Sequence, residues 1–181
     1  MIKPDDHQLS LNKDNFTVIR KYGDQYSLNL VDIENYLSYK SDLNIVLSLL
    51  GDQIPDWEER PKDFNELTQR FKSDSKCFLL YYNNQCIGWS WFNEKVRFDW
   101  VTVDRDLPNG WIYVGGFYVS NRVDRPYYAG TTINNLRSKY CFDLGYEKLC
   151  AYCDSWNENA VRMCTTNGCL LYTSPSPRDS D

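Results

Sequence analysis

The sequence predicts an α+β domain built on a mixed, mostly antiparallel sheet flanked by helices. Two observations carry that prediction. Residues 77–82 (CFLLYY) and 86–92 (CIGWSWF) are apolar runs around Asn83-Asn84, and asparagine tolerates the positive φ angles of a tight hairpin turn. Further on, a strand-like run at 111–119, a helical pattern at 131–144 and a short apolar run at 149–153 follow one another. That β-α-β order joins two parallel strands by a right-handed crossover. A length of 181 residues sets the scale at one domain, or one domain with an appendage, and 42% apolar residues supply its core.

Taken in order, residues 1–15 are polar and acidic and read as a flexible lead-in. Residues 16–20 (FTVIR) alternate and read as a first strand. From 24 to 50, apolar residues at Leu28, Val31, Tyr36, Leu37, Leu43, Val46, Leu47 and Leu50 suit two helices with a break near 39–42. Gly51, Pro55 and Pro61 mark a loop, and 63–72 (DFNELTQRFK) reads as a helix capped by Asp63. After the hairpin, 95–103 is strand-like, and Pro108-Asn109-Gly110 is a turn. The central strand follows at 111–119, where Gly115-Gly116 predicts a bulge or a close backbone approach. The helix at 131–144 presents Ile133, Leu136, Tyr140 and Leu144 as its apolar face and is closed by Gly145. A strand at 149–153 and a helix at 157–166, stopped by Asn167-Gly168, complete the pattern.

Composition narrows the function classes. A formal charge of −5 argues against nonspecific nucleic-acid binding and for a cationic substrate. No stretch approaches the roughly 18 apolar residues of a membrane helix, and residues 1–15 have no apolar signal core. Seven cysteines in such a chain read as reduced thiols, so the expected location is cytoplasmic, with no membrane partner. Cys150 and Cys153, with Cys141 and Cys164 around them, suggest a thiolate zinc site. A CxxC on a strand, however, puts its thiols on opposite faces, and no metal is expected.

The chain carries two motifs in a telling order. Arg125-Pro126-Tyr127-Tyr128-Ala129-Gly130 is similar to the pyrophosphate loop of GNAT N-acetyltransferases, an Arg or Gln followed by x-x-G-x-G/A, with Tyr128 replacing the middle glycine. Asn157, Ala160, Met163, Cys164 and Gly168 resemble that family's following helix, N-x-x-A-x-x-L-Y-x-x-x-G-F. The resemblance covers roughly residues 16–168 and implies a GNAT-like domain with a splayed parallel strand pair. Residues 169–179 (CLLYTSPSPRD) resemble a transposase sequencing adapter translated in frame. The domain is therefore expected to be truncated, its C-terminal strands missing and 169–181 a non-native tail, with Leu170, Leu171, Tyr172 and Thr173 mimicking at most the start of a strand. Removing Arg178, Asp179 and Asp181 leaves a net charge of −4, so the charge argument stands.

What the resemblance implies is acetyl transfer from acetyl-CoA, as co-substrate, to a primary amine of a small molecule or peptide in a ternary complex. The acetyl-CoA would be held by Phe117, Val119, Arg125, Tyr128, Ala129, Gly130 and Thr131, with Asn157 on the pantetheine arm. Arginines at 122 and 125 add charge for phosphate, and Gly130 allows close backbone approach. The Val119 N–H would polarise the thioester carbonyl. Cys164 occupies the position of the family's tyrosine acid, with Tyr152 and Tyr118 as substitutes, and Tyr113, Asp99 and Glu94 are the candidate bases. Trp57, Glu58 and Glu59 with Trp89, Trp91 and Trp100 suit a cationic amine. The competing reading is a non-catalytic module of the same fold that binds CoA, a nucleotide or a protein. A homodimer is left open.

Overall fold

The computed structural model describes residues 6–16, 25–53, 60–98, 101–122, 129–154 and 156–173. Nine strands and four helices lie in these segments: β1 (Asp6–Asn12), β2 (Tyr26–Val31), α1 (Lys40–Gln53), α2 (Phe64–Lys72), β3 (Lys76–Tyr82), β4 (Gln85–Asn93), β5 (Lys95–Phe98), β6 (Val101–Asp106), β7 (Trp111–Val119), α3 (Ala129–Asp143), β8 (Lys148–Asp154), α4 (Glu158–Thr166) and β9 (Leu170–Thr173). Seven strands make one mixed sheet in the order β2-β3-β4-β7-β8-β1-β9, and β5 and β6 form a separate hairpin. Among the described residues only the β7–β8 pair is parallel, as the crossover through α3 requires.

The two faces of the sheet are covered by different helices. On one face Ile87, Phe92, Ile112, Val114 and Leu149 pack with Ile133, Cys141 and Phe142 of α3. On the other, Leu79, Trp89 and Trp91 pack with Leu43, Val46 and Leu50 of α1 and Leu67 and Phe71 of α2. The α2 helix starts where Asp63 Oδ1 accepts the Glu66 N–H at 2.9 Å, while Glu66 Oε2 accepts the Lys62 N–H at 2.7 Å. The β3–β4 turn is the expected one: Asn83 and Asn84 have φ of 46° and 65°. No described helix is long and apolar enough to cross a membrane.

Four sequence expectations need correction. Residues 6–12 are not a loose lead-in but a strand between β8 and β9, with Leu9 and Leu11 buried at alternate positions. Residues 26–31 are a strand antiparallel to β3 and not the first of two helices; Ser27 and Asn29 are exposed and alternate with buried or half-buried neighbours. The described residues of the run 95–103 fall in two strands, β5 and β6, which pair antiparallel with each other. The expected apolar face of α3 holds in part: Ile133 is buried and Leu136 packs against the core, but Tyr140 and Leu144 are exposed, and Asn134, Asn135, Arg137 and Ser138 are buried. The expected strand at 16–20 lies outside the described residues except for Phe16, whose ring meets Phe142 at 5.1 Å. The C-terminal run supplies one short strand, β9, which pairs with β1 from the other end of the chain.

Candidate functional site

The parallel pair at the centre of the sheet comes apart. Its register holds for three pairs, Trp111 with Lys148, Ile112 with Leu149 and Tyr113 with Cys150. Beyond them β7 runs on to Val119 and β8 to Asp154 without pairing to each other. A bulge on the far side of β7 accounts for this. Against β4, Trp91 pairs with Gly115 and Trp89 with Tyr118, so two steps on β4 meet three on β7. The extra residue lies at Gly116-Phe117, and Gly116 has φ +55°, which costs a glycine little. A Cβ there would come within 3.0 Å of Trp91 Cδ1. Before the bulge Ile112 and Val114 face α3; after it Phe117 and Val119 do, and Tyr118 turns to the α1 side.

Gly88 of β4 makes the bulge fit. A Cβ on it would lie 1.9 Å from the Tyr118 carbonyl oxygen, and just beyond it the Ser120 N–H donates to the Ile87 carbonyl at 2.8 Å. At the point where β7 and β8 part, the Tyr113 and Tyr152 rings lie 6.2 Å apart. Tyr113 lies over Gly115, where a Cβ would meet its hydroxyl at 2.9 Å. Beside them the Cys150 thiol donates to the Ile112 carbonyl at 3.5 Å, and burial pushes it up to about 11.

One wall of the opening is built from α3 and α4. Asn135 Nδ2 donates to Asn167 Oδ1 at 2.9 Å, and Asn167 Nδ2 donates in turn to the Met163 and Thr131 carbonyls at 2.9 and 3.4 Å. These bonds clasp α4 to the first turns of α3. Deeper in, Arg137 is fully buried: Nη1 donates to Ser90 Oγ at 2.8 Å, Nη2 bonds Asn134 Oδ1, and the guanidinium lies 5.2 Å from the centre of the Phe117 ring. Its Nε has no hydrogen-bond partner. Cys164 is buried beside it. A hydrogen bond with Cys169, and then the Arg137 charge, hold the Cys164 thiol below its ordinary value against desolvation; Cys169 is pushed up.

Tyr113 stands at the last paired position of β7, and Phe117 and Val119 lie on its splayed part. Ala129, Gly130 and Thr131 form the first turn of α3, against which Met163 of α4 packs. Asn157 is the N-cap of α4, its Oδ1 accepting the Ala160 N–H at 3.1 Å. Arg125 and Tyr128 lie outside the described residues, as do Trp57, Glu58, Glu59, Asp99 and Trp100. Glu94 follows β4 at the end paired with Tyr113, where it accepts the Tyr146 hydroxyl at 2.9 Å. The backbone of His7 lies opposite Cys153 at the splayed end of β8. Sequence reasoning passed over Arg137, Asn134 and Ser90. The available signal was that a crossover helix must bury a face on the sheet, yet between Ile133 and Leu136 this one carries Asn134 and Asn135, and Arg137 and Ser138 follow.

No protein-family model matches the chain, and no curated protein matches its sequence. Solved structures do match its fold. A functionally unknown conserved protein from Staphylococcus epidermidis superposes with a TM-score of 0.56 at 15% identity, over 92% of this chain and 57% of that one. An aminoglycoside acetyltransferase from an uncultured soil metagenomic sample gives 0.54 at 10% identity, over 80% and 88%. A probable GNAT-family acetyltransferase from Chromobacterium violaceum gives 0.55 at 18% identity, over 85% and 76%. The chain thus spans little more than half of the Staphylococcus protein. With its mixed sheet, single parallel pair and flanking helices, the chain has the fold of the GNAT acetyltransferases.

Proposed function

We propose that this protein is an acyl-CoA-dependent N-acyltransferase that moves an acetyl group from acetyl-CoA to a primary amine of a small molecule or peptide. The observation that carries the proposal is the parting of β7 from β8 after Tyr113, beside the first turn of α3. A strand edge without a strand partner can pair with an extended amide-containing chain, which is what a pantetheine arm is. Helix N-termini favour phosphate, so Ala129, Gly130 and Thr131 with Arg125 and Tyr128 would take the pyrophosphate. Phe117 and Val119 would line the arm. The Asn157 carbonyl is committed to its cap, so its amide nitrogen is the group offered to the pantetheine.

In the transfer the amine nitrogen bonds to the acyl carbon, the C–S bond breaks, and the sulfur leaves with the electron pair. The Val119 N–H would polarise the acyl oxygen. Tyr113, at the fork of the strands, would accept the amine proton through water, and Cys164 would return a proton to sulfur. No metal is needed for these steps. The acceptor would enter from the α1 side, where Trp89 and Trp91 are buried together.

Calorimetric titration of acetyl-CoA tests the proposal. Saturable micromolar binding, weakened about tenfold or more by Arg125→Ala, and transfer to a member of an amine panel are the expected results. Binding without transfer to any amine would favour the non-catalytic module, a reading supported by the burial of Cys164 where the resembled family carries a tyrosine. Absence of binding would overturn the acyltransferase reading and leave a module of the same fold that binds another nucleotide or a protein.

A further inference from the structure

Arg137 is an unusual residue to find at the base of this opening. Its guanidinium is buried between α3 and the sheet, and no carboxylate among the described residues forms an ion pair with it. Burying a charge without a counter-charge costs stability, and the groups that hold it need no charge to do so. Ser90 Oγ and Asn134 Oδ1 are neutral acceptors that an uncharged donor would satisfy equally well. The Phe117 ring offsets part of the cost by cation–π attraction. Beyond these contacts the charge meets only the thiols of Cys141, Cys164 and Cys169 among the described residues, and its Nε has no hydrogen-bond partner.

Its place says what could use it. Phe117 belongs to the splayed part of β7, just past the bulge, and Cys164 lies on α4 across the opening. Arg137 senses both walls: it touches Phe117 and interacts electrostatically with Cys164. A thioester laid along the opening would bring its sulfur between these walls, and that sulfur becomes an anion when the C–S bond breaks.

Resting on the acyltransferase reading, we propose that Arg137 supplies the buried positive charge that stabilises the departing thiolate of the acyl donor. The bond changes are those of the transfer itself: N–C forms, C–S breaks, and the electron pair stays on sulfur beside the guanidinium until a proton arrives. A fixed charge in a water-poor site acts on such an anion without reorganising. Among the described residues, the titratable groups facing Arg137 are Cys141 of α3, Cys164 of α4 and Cys169 before β9; β4 and β7 contribute only Ser90 and Phe117. Burial pushes Cys141 up to about 12.

The experiment compares free CoA with desulfo-CoA, which lacks the thiol, by calorimetric titration of the whole chain between pH 6 and about pH 9.5. CoA should gain affinity over desulfo-CoA as pH rises towards the ionisation of its free thiol. Each unit by which the bound thiol pKa is lowered gives about a tenfold gain. The cysteines of the protein titrate with either ligand bound and cancel in the ratio. Arg137→Met should abolish the gain and Arg137→Lys should restore part of it. Parallel pH profiles for the two ligands in the unaltered protein would overturn the inference alone, as would a gain that survives in a folded Arg137→Met. Binding of neither ligand would overturn the acyl-CoA reading and this inference with it. The comparison in the unaltered protein stands even if Arg137→Met fails to fold.

Discussion

Replacing Gly88 by alanine tests the geometry of the central opening directly. The added Cβ would lie 1.9 Å from the Tyr118 carbonyl oxygen, 2.9 Å from its carbon and 3.0 Å from Val119 Cα. All three neighbours are backbone, so no side-chain rotation relieves the contact. Carbon and oxygen approach to about 3.3 Å, so β4 and the bulged part of β7 must separate by roughly 1.4 Å. That displacement would stretch the adjacent Ser120–Ile87 hydrogen bond, now 2.8 Å. Overpacking of this kind costs about 1–3 kcal/mol, and a backbone clash belongs at the top of that range. For a domain of this size, about 3 kcal/mol lowers Tm by roughly 6–12 °C. Gly51→Ala is the control: Gly51 is in α1 with nothing within 4 Å of the new Cβ, so the same change there should stabilise by about 0.5–1 kcal/mol. Thermal unfolding followed by circular dichroism reads both. A Gly88→Ala protein melting within a degree of the parent would refute the close approach of β4 to the bulge. It would also remove the cause assigned to the parting of β7 and β8.

Two further outcomes follow from the helix contacts and the thiols. Asn135→Ala removes the donor to Asn167 and leaves a buried amide oxygen unmet, so a loss of about 1–3 kcal/mol is expected in denaturant unfolding; no loss would mean that α4 is not clasped to α3 there. Burial raises Cys86 and Cys141 to about 12, so at pH 8 these two hold roughly a thousandth or less of the thiolate of an ordinary cysteine, and burial raises Cys77 as well. Mass spectrometry after brief alkylation of the native protein should find the half-buried Cys153 modified well before these three; the reverse order would contradict the packing of both cores.

The local signals in the chain were sufficient for the elements whose partners are near in sequence. Asn83-Asn84 between two apolar runs dictates the β3–β4 hairpin because both residues accept positive φ. Asp63 and Glu66 mark the start of α2, and the order of strand, helix and strand from 111 to 154 dictates a parallel crossover. Gly115-Gly116 announced a bulge, since a pair of glycines inside a strand has few other uses. Where one residue pattern served two structures, the sequence was ambiguous. Leu28, Leu30 and Val31 suit a helix face as well as a strand, and pairing with β3 decided for the strand.

Tertiary structure alone decided what lies around the opening. Nothing local says that residues 6–12 join the sheet, because their partners β8 and β9 are more than a hundred residues away and only their ladders hold them there. Nor does periodicity reveal that α3 buries Asn134, Asn135 and Arg137. Periodicity records which residues avoid water, whereas Asn135 is held by Asn167 at the end of α4, and Arg137 by Ser90 of β4, Phe117 of β7 and Asn134 of its own helix. The sequence by itself determined the strand order around the crossover and the bulge that opens it. The polar lining of that opening came from the meeting of distant elements, since a buried polar side chain is stable only where the fold brings its partners.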